Sequence, residues 1–369
     1  MLSRQAVLQL AGIGRIATRD INARPIMLLP EPENGRLKAI YKGSYVMGEV
    51  SIESEEAIFD PMAVGASQFL ELAKLFEDGV TLTQKGDALE LSDGACTVSL
   101  QTTSFEIPEE VLDDGETTTA IVSLAKFREE IALAEHFVSE ETTAPILRGV
   151  RLMLDGKGTL SFLASDGGSV LFCSTMPYEA EGESAPVDAT IVGKDALITL
   201  SLLAEVLPEG VETIKVVFIA GDVGINKVLL LTDTARMTLS TRFGKWPDQF
   251  ILPLLAKTIT DEPLTLPAST LDRILTGVKV LEAGKDVAFL RVDDTRFEIA
   301  TAKSETGSLR LLVSGMLPVD TITLSATTLE GMSLVAKQPF LFFPTDSGPV
   351  LATDESRVRR FYATRRASR

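Results

Sequence analysis

The chain of 369 residues repeats one order of predicted elements three times. Each repeat opens with a helix, continues through two strands joined by a turn, and then adds a second helix and a run of strands. The three repeats cover residues 1–118, 119–254 and 255–369. Because solenoid repeats span only about 20–50 residues, units of this length are near domain size. The sequence therefore predicts an α+β fold built from three similar domains.

The composition is ordinary for a folded domain protein, with 45% hydrophobic and 24% charged residues. No apolar run reaches the roughly 18 residues that a membrane span needs. The segment Met1–Ala17 resembles a signal peptide, but Gln5, Gln9 and Arg15 interrupt its apolar part. Cys96 and Cys173 lie in different repeats and are predicted to be free thiols. We therefore expect a cytoplasmic protein.

Acidic residues outnumber basic ones, 52 against 35, and the formal net charge is −17 at pH 7. A polyanion such as DNA binds basic surfaces, so the net charge alone argues against a nucleic-acid-binding protein. The distribution of charge matters more than the sum, because a local basic surface can coexist with an acidic exterior. The positions of the lysines and arginines therefore decide between these interpretations.

The opening helix of each repeat has basic residues on the side opposite its apolar stripe. In the first predicted helix, Ser3–Arg19, apolar residues recur at helical spacing and the basic ones fall on the far side. Including one arginine from the loop after that helix, the basic residues are Arg4, Arg15, Arg19, Arg24, Lys126, Arg128, Arg273 and Lys279. The pattern leaves two interpretations open: ordinary solvated helix faces, or a recurrent surface for a polyanion.

Residues suited to catalysis are few. His136 is the single histidine, so a Ser–His–Asp or Cys–His site would depend on it. The sequence has no G-x-S-x-G motif, no phosphate-binding loop and no Cys–His spacing suited to zinc. Paired carboxylates such as Asp293-Asp294 fall mostly in predicted turns or at helix ends. We therefore expect no enzymatic activity, no cofactor and no metal; a metal-dependent hydrolase is the alternative.

Three segments of the middle repeat form a set of motifs: Ala164–Leu171 (ASDGGSVL), Gly244–Pro253 (GKWPDQFILP) and Pro145–Gly149 (PILRG). The first resembles the A-T-D-G-H-R-L-A stretch of bacterial β sliding clamps, the processivity subunits of DNA polymerase III. The second resembles that family's G-R-F-P-D-Y…L-P segment, and the third resembles the strand entry before the first motif. The resemblance spans the whole chain in length, threefold periodicity and acidity, and is specific mainly over residues 120–254.

The resemblance implies an architecture and a role. β sliding clamps have three clamp domains per chain, and two chains join head to tail as a homodimer, which closes a six-domain ring around duplex DNA. The implied function is a processivity factor that binds DNA without regard to sequence, with the basic residues of the opening helices facing the DNA. A ring holds DNA by its topology, so weak basic contacts inside it suffice, and an acidic exterior is compatible with this role.

The resemblance also implies two protein-binding surfaces. A cleft between the middle and last domains would take short peptides with apolar anchors from the replicative DNA polymerase, the clamp loader and other clamp-binding-motif proteins. The residues that match it are Leu147, Ser165, Gly167, Gly168, Val170, Pro247, Ile251, Gly348, Pro349 and Val350. A dimer contact would place Val98 and Leu100, on a predicted edge strand, against Val280 and Leu281 of the other chain.

The chain departs from the family pattern in three places. Gly168-Ser169 stands where the family has His-Arg, and the segment after Asp248 is one residue shorter. The last residues, Phe361–Arg369, replace an apolar Met-Pro-Met-Arg-Leu ending. These differences predict a divergent clamp. The alternative from another functional class is an interaction scaffold that has the same fold and does not bind DNA.

Overall fold

The computed structural model describes residues 1–17, 25–43, 46–54, 59–77, 79–103, 115–140, 144–182, 185–206, 212–222, 224–256, 263–281, 286–301, 303–343 and 348–364. Short 3-10 turns lie at Pro32–Asn34 and Pro145–Arg148. The α-helices in this part of the chain are α1 (Arg4–Gly12), α2 (Gly14–Ala17), α3 (Ala66–Ala73), α4 (Leu124–Glu135), α5 (Gly193–Val206), α6 (Asp248–Ala256), α7 (Ala268–Val280) and α8 (Ala326–Val335). None of these helices is long and apolar enough to cross a bilayer.

Strands make up most of the remaining regular structure. They are β1 (Ile26–Glu31), β2 (Arg36–Lys42), β3 (Val46–Glu53), β4 (Met62–Val64), β5 (Thr81–Lys85), β6 (Ala88–Ser92), β7 (Thr97–Thr103), β8 (Thr117–Ser123), β9 (Val150–Leu154), β10 (Thr159–Ser165), β11 (Val170–Pro177), β12 (Glu179–Glu181), β13 (Val187–Ile191), β14 (Thr213–Gly221), β15 (Gly224–Leu231), β16 (Ala235–Ser240), β17 (Leu264–Thr265), β18 (Asp286–Asp293), β19 (Arg296–Thr301), β20 (Arg310–Ser314), β21 (Thr321–Ser325), β22 (Phe340–Phe342), β23 (Val350–Thr353) and β24 (Arg360–Ala363).

The chain divides into two compact units. The first comprises Met1–Glu129, Met153–Gly158 and Pro177–Arg242. It contains a twelve-stranded sheet in the order β12-β8-β14-β15-β16-β3-β2-β1-β4-β7-β6-β5. Strand β16 pairs antiparallel with β3, so this sheet runs continuously from strands of the first predicted repeat into strands of the second.

The first predicted helix is divided in two. Ser3 caps α1 through a 3.1 Å bond from the Ala6 amide to its Oγ, as expected for a serine at a helix start. The prediction of one continuous helix over Ser3–Arg19 was wrong, because the helix breaks between Gly12 and Gly14. A Cβ at Gly14 would lie 2.8 Å from the Ala66 carbonyl oxygen, so this position needs glycine where α2 approaches α3.

The second unit comprises Glu130–Leu152, Thr159–Met176 and Phe243–Arg369. Seven adjacent strands of an eight-stranded sheet follow the order β9-β10-β11-β24-β23-β22-β17, and a four-stranded sheet has the order β20-β19-β18-β21. Phe137 lies between Phe172 and Phe361, with ring centroids 5.0 and 5.1 Å apart. A Cβ at Gly331 would lie 2.7 Å from Phe361, so α8 packs closely on this aromatic cluster.

Most of the predicted helices are confirmed, with ends shifted by a few residues. The opening helices of the second and third repeats correspond to α4 and α7, and the later helices correspond to α3, α5 and α8. Helix α6 was not predicted, because a proline is unfavourable in the interior of a helix. Pro253 nevertheless lies inside α6.

Candidate functional site

The motif Ser165–Val170 forms a tight turn at the end of β10. The Asp166 Oδ1 atom accepts bonds from three successive backbone amides, those of Gly168 (3.0 Å), Ser169 (2.8 Å) and Val170 (2.8 Å). Ser165 Oγ donates to the Val170 carbonyl at 2.7 Å and accepts from the Gly167 amide at 3.1 Å. These bonds satisfy the turn's backbone groups from within the turn itself.

Leu147 packs directly beneath this turn. A Cβ at Gly167 would lie 3.1 Å from Leu147 Cδ1, and Gly167 has a φ of +85°. Both the backbone conformation and the close approach therefore favour glycine at position 167. The Leu147 carbonyl accepts a 2.8 Å bond from the Ser139 amide, which holds the 3-10 turn that precedes β9.

The last repeat reaches the same place through the strand order β11-β24-β23. Val170 pairs with Ala363, and Ala363 pairs on its other side with Val350. The Thr364 amide donates to the Ser169 carbonyl at 2.9 Å. The predicted cleft residues of the middle and last repeats, including Gly348 and Pro349 just before β23, therefore lie around one end of one sheet.

Helix α6 supplies the remaining predicted cleft residues. The Pro247 carbonyl accepts from the Phe250 amide at 2.9 Å and the Ile251 amide at 3.3 Å, so Pro247 opens the helix. Ile251 is buried with 4% of its surface exposed, whereas Phe250 is 68% exposed. A Cβ at Gly244, upstream of the helix, would lie 2.9 Å from Ile146 Cβ, so the approach to α6 packs on the turn that contains Leu147.

Exposure divides the predicted cleft residues into two groups. Leu147, Ser165, Ile251 and Val350 are buried and support the site from below. The residues with accessible surface are Gly167, Gly168, Val170, Pro247, Gly348 and Pro349. A peptide bound here would contact the second group and depend on the first for shape.

Two features of the site were missed from the sequence. The first is Arg151 on β9, which is buried and forms a bidentate ion pair with Asp248 at the start of α6. The second is the pairing of β24 with β11, which brings the end of the described chain to the turn. An arginine within the apolar run of β9 was the only sequence signal for the first feature.

Six of the predicted DNA-facing residues lie within the described part of the chain, and all six are exposed. Arg4, Arg15, Lys126 and Arg128 belong to the first unit, and Arg273 and Lys279 to the second. On α7 the buried residues are Leu271 and Ile274, so Arg273 and Lys279 stand on the solvent side as predicted. Arg19 and Arg24 lie outside the described residues.

The predicted dimer residues differ in exposure. Strand β7 is not the last strand of its sheet, so the prediction of an edge strand was wrong in that respect: β5 is outermost. Alternating polarity shows which face of a strand is buried, but it does not give the strand's place in the sheet. Of the residues of β7, Thr102 and Thr103 are nevertheless the only ones that pair with β4 in the described part of the chain.

Val98 and Leu100 lie on the same face of β7, and Leu100 is only 7% exposed. Val280 at the end of α7 is 69% exposed, and Leu281 is half-buried. The Leu281 carbonyl accepts bonds from the hydroxyls of Ser304 (2.6 Å) and Thr306. Val280 is therefore the most accessible of the four predicted contact residues.

Residues suited to catalysis do not converge in the described part of the chain. His136 is exposed after the end of α4. No group of three or more histidine, cysteine, aspartate or glutamate residues in the described ranges could hold a metal ion. Burial raises the pKa of the Cys173 thiol to about 11, so it stays protonated at neutral pH and is a poor nucleophile.

Comparison with solved structures finds clamp proteins over the full length of the chain. The Thermotoga maritima DNA polymerase III β subunit superposes with a TM-score of 0.80 at 15% identity, covering 100% of this chain and 99% of that one. The Pseudomonas aeruginosa DNA polymerase sliding clamp gives 0.80 at 15% identity, with coverage of 100% and 99%. The Helicobacter pylori β clamp bound to a DNA ligase peptide gives 0.75 at 13% identity, with the same coverage.

No protein-family model and no curated protein matches the sequence. The likeness to clamps is therefore a similarity of three-dimensional structure at low sequence identity. Because it extends over the whole length of both chains, a shared local motif alone does not explain it. The resemblance predicted from the middle repeat is confirmed at the level of the fold: the chain has the fold of the DNA polymerase III β subunit, the sliding clamp.

Proposed function

We propose that the protein is a DNA sliding clamp, a processivity factor that encircles duplex DNA and tethers a polymerase and other partners. One observation supports this most strongly: the chain matches clamps from end to end, with 99–100% coverage of each chain in the Thermotoga and Pseudomonas comparisons. In this proposal the domains are residues 1–118, 119–254 and 255–369, two chains form a head-to-tail ring, and the protein acts in the cytoplasm without catalysis or a cofactor.

The charge distribution supports the same proposal. The net charge of −17 disfavours wrapping DNA on an arbitrary outer surface. The six described basic residues of the opening helices are exposed, as phosphate contacts would require. Contacts of this kind are sequence-independent and weaken steeply with salt, which suits a ring that slides. Arg19 and Arg24 belong to the same proposed DNA-facing set.

The proposed peptide cleft is the site around the Ser165–Val170 turn, α6 and the start of β23. Its exposed residues surround buried apolar ones, an arrangement that suits a short peptide with apolar anchors. A relative of the same fold has been solved with a DNA ligase peptide bound. The proposed dimer contact joins Val98 and Leu100 of one chain to Val280 and Leu281 of the other.

The test is topological trapping. The protein is incubated with a linear plasmid so that rings thread over the ends, the plasmid is closed with DNA ligase, and the sample is gel-filtered in high salt. A clamp stays with the circle, because salt removes phosphate contacts and leaves a topological link intact. Cutting the circle with a restriction enzyme should then release it.

Light scattering provides the matched measurement of mass. We expect a dimer of about twice the 39.8 kDa chain mass, and Val98→Asp with Leu281→Asp should give a folded monomer that is not trapped. A monomeric wild-type protein, or retention equal on linear and circular DNA, would contradict the clamp. A stable dimer that is never trapped would favour the scaffold that has the same fold and does not bind DNA.

A further inference from the structure

Arg151 is a buried arginine on β9. Its residue is 4% exposed, and its neighbours Val150 and Leu152 are fully buried. The guanidinium donates from Nη1 to Asp248 Oδ1 at 2.5 Å and from Nη2 to Asp248 Oδ2 at 3.1 Å. Its Cζ atom also lies 5.4 Å from the centroid of the Trp246 ring. The side chain therefore binds both ends of the short segment that leads into α6.

A lysine could not make the same contacts. The planar fork matches the two oxygens of a carboxylate, and the flat guanidinium stacks on an aromatic ring, whereas an ammonium is a compact point charge. Burying a charge is unfavourable unless it is paired and hydrogen-bonded. The geometry thus indicates that Arg151 is needed for its specific contacts with Trp246 and Asp248, and not only for its positive charge.

The contacts of Arg151 converge on the part of α6 that borders the proposed cleft. Asp248 is the first residue of the helix, and its side chain keeps 36% of its surface exposed. Pro247 lies between Trp246 and Asp248, and its carbonyl accepts from the Ile251 amide. Fixing both neighbours of Pro247 fixes Pro247 itself and the first turn of the helix, including Ile251.

We propose that Arg151 is a positioning residue for the peptide cleft: by holding Trp246 and Asp248, it sets the place and angle at which Pro247 and the first turn of α6 meet a bound peptide. This inference rests on the proposed function. Arg151 does not touch the peptide; it acts through Asp248 and Trp246. The competing explanation is that the ion pair only stabilises the second unit.

The experiment separates these explanations with two variants. Arg151→Lys keeps the charge and loses the fork and the stacking. The double variant Arg151→Met with Asp248→Leu removes both charges, and replacing both members of an ion pair by apolar residues often leaves stability unchanged. Arg236→Lys, on an exposed position of β16 in the first unit, is the matched control.

Binding is measured by fluorescence anisotropy with a fluorescein-labelled Helicobacter pylori DNA ligase peptide, and folding by the urea midpoint of the same samples. We expect Arg151→Lys to raise Kd at least tenfold and Arg236→Lys to leave it within twofold. The double variant should have a urea midpoint close to that of the wild-type protein, while its Kd for the peptide stays raised as in Arg151→Lys. Hydrogen exchange at the amides of residues 249–252 should be faster than in the wild type in Arg151→Lys and in the double variant, and unchanged in Arg236→Lys.

A Kd unchanged in Arg151→Lys, or a Kd that recovers together with the urea midpoint in the double variant, overturns the positioning role. A wild-type protein that binds no peptide overturns both the cleft and this inference. The trapping assay separates that outcome from a failure of the clamp itself, because the Arg151 variants should still be trapped on circular DNA.

Discussion

Two segments border the proposed cleft, and they are held in place by different means. The Ser165–Val170 turn is held by bonds within the turn, centred on the Asp166 carboxylate. Helix α6 is held by arginines far along the chain: Arg151 is 97 positions from Asp248, and Arg360 is 105 positions from the Leu255 carbonyl that it binds at 3.4 Å. Most of the bonds that hold the turn come from the turn itself, with Leu147 packed beneath it and one further bond from the Thr364 amide, whereas both anchors of the helix are distant in sequence. A substitution that destabilises the Ser165–Val170 turn should therefore leave α6 in place, and a substitution that destabilises α6 should leave the turn in place.

Removing Arg151, the distant anchor of α6, should have the largest effect. Arg151→Met leaves Asp248 without its fork and Trp246 without its cationic partner, and losing two charge-assisted hydrogen bonds to a partly exposed carboxylate costs about 3 kcal/mol. Urea unfolding followed by the fluorescence of Trp246, the single tryptophan, measures this loss where it occurs. Arg236→Met is the control and should change the free energy of unfolding by less than about 0.5 kcal/mol. A loss below about 1 kcal/mol in Arg151→Met would mean that α6 does not depend on its anchor.

The local anchor is tested next. Asp166→Ala removes the charged acceptor of three amides, of which only the Val170 amide is partly buried, and should lower the free energy of unfolding by about 2 kcal/mol. Asp166→Asn keeps an acceptor oxygen in the same place and should cost less than about 1 kcal/mol. Urea unfolding gives both values. If the two variants lose equal stability, charge rather than local bonding holds the turn.

A smaller effect is expected from the turn's glycines. Gly167→Ala places a Cβ at a φ of +85°, 3.1 Å from Leu147 Cδ1, and should cost about 1 kcal/mol. Gly168 has open space around the position that a Cβ would take, and its φ is not positive. Gly168→Ala is therefore a control one residue away and should be neutral in thermal unfolding. Equal losses at both positions would contradict the close packing on Leu147.

The smallest effect should come from the far end of α6. Arg360→Met removes a 3.4 Å bond to the Leu255 carbonyl, which is worth about 0.5 kcal/mol. Hydrogen exchange in the last turn of α6 should accelerate, while the first turn, held by Arg151, should not. Acceleration along the whole helix would show that α6 responds as one piece and that its two anchors are not independent.

The same contrast explains what the sequence could and could not predict. The Ser165–Val170 turn makes its side-chain hydrogen bonds within itself, so neighbouring residues in the sequence are enough to indicate it. The clamp fold followed from the order and spacing of the middle repeat's motifs, together with the threefold repeat. The exposure of Arg273 and Lys279 followed from helical periodicity alone.

The errors lie where distant parts of the chain decide the outcome. The break at Gly12–Gly14 comes from the close approach of α2 to α3, and the place of β7 inside its sheet comes from pairing with β4. Pro247 just before α6 and Pro253 inside it argued against a helix there, and the anchor Arg151 lies on the distant strand β9. Hydrophobic periodicity predicts which face of a helix or strand is buried, but it does not predict which other segment packs against that face.

The pairing of β24 with β11 has a consequence for how the chain is made. Strand β11 leaves the ribosome long before Arg360–Ala363, and Arg359 is 229 positions from its partner Glu130. Until those late residues are synthesised, β11 lacks the neighbour that covers its edge, and an open strand edge invites pairing with other chains. Contacts so distant in sequence also form slowly. Translation that stalls before β24 should therefore produce an aggregation-prone intermediate, and a chaperone that shields strand edges would raise the yield of folded protein.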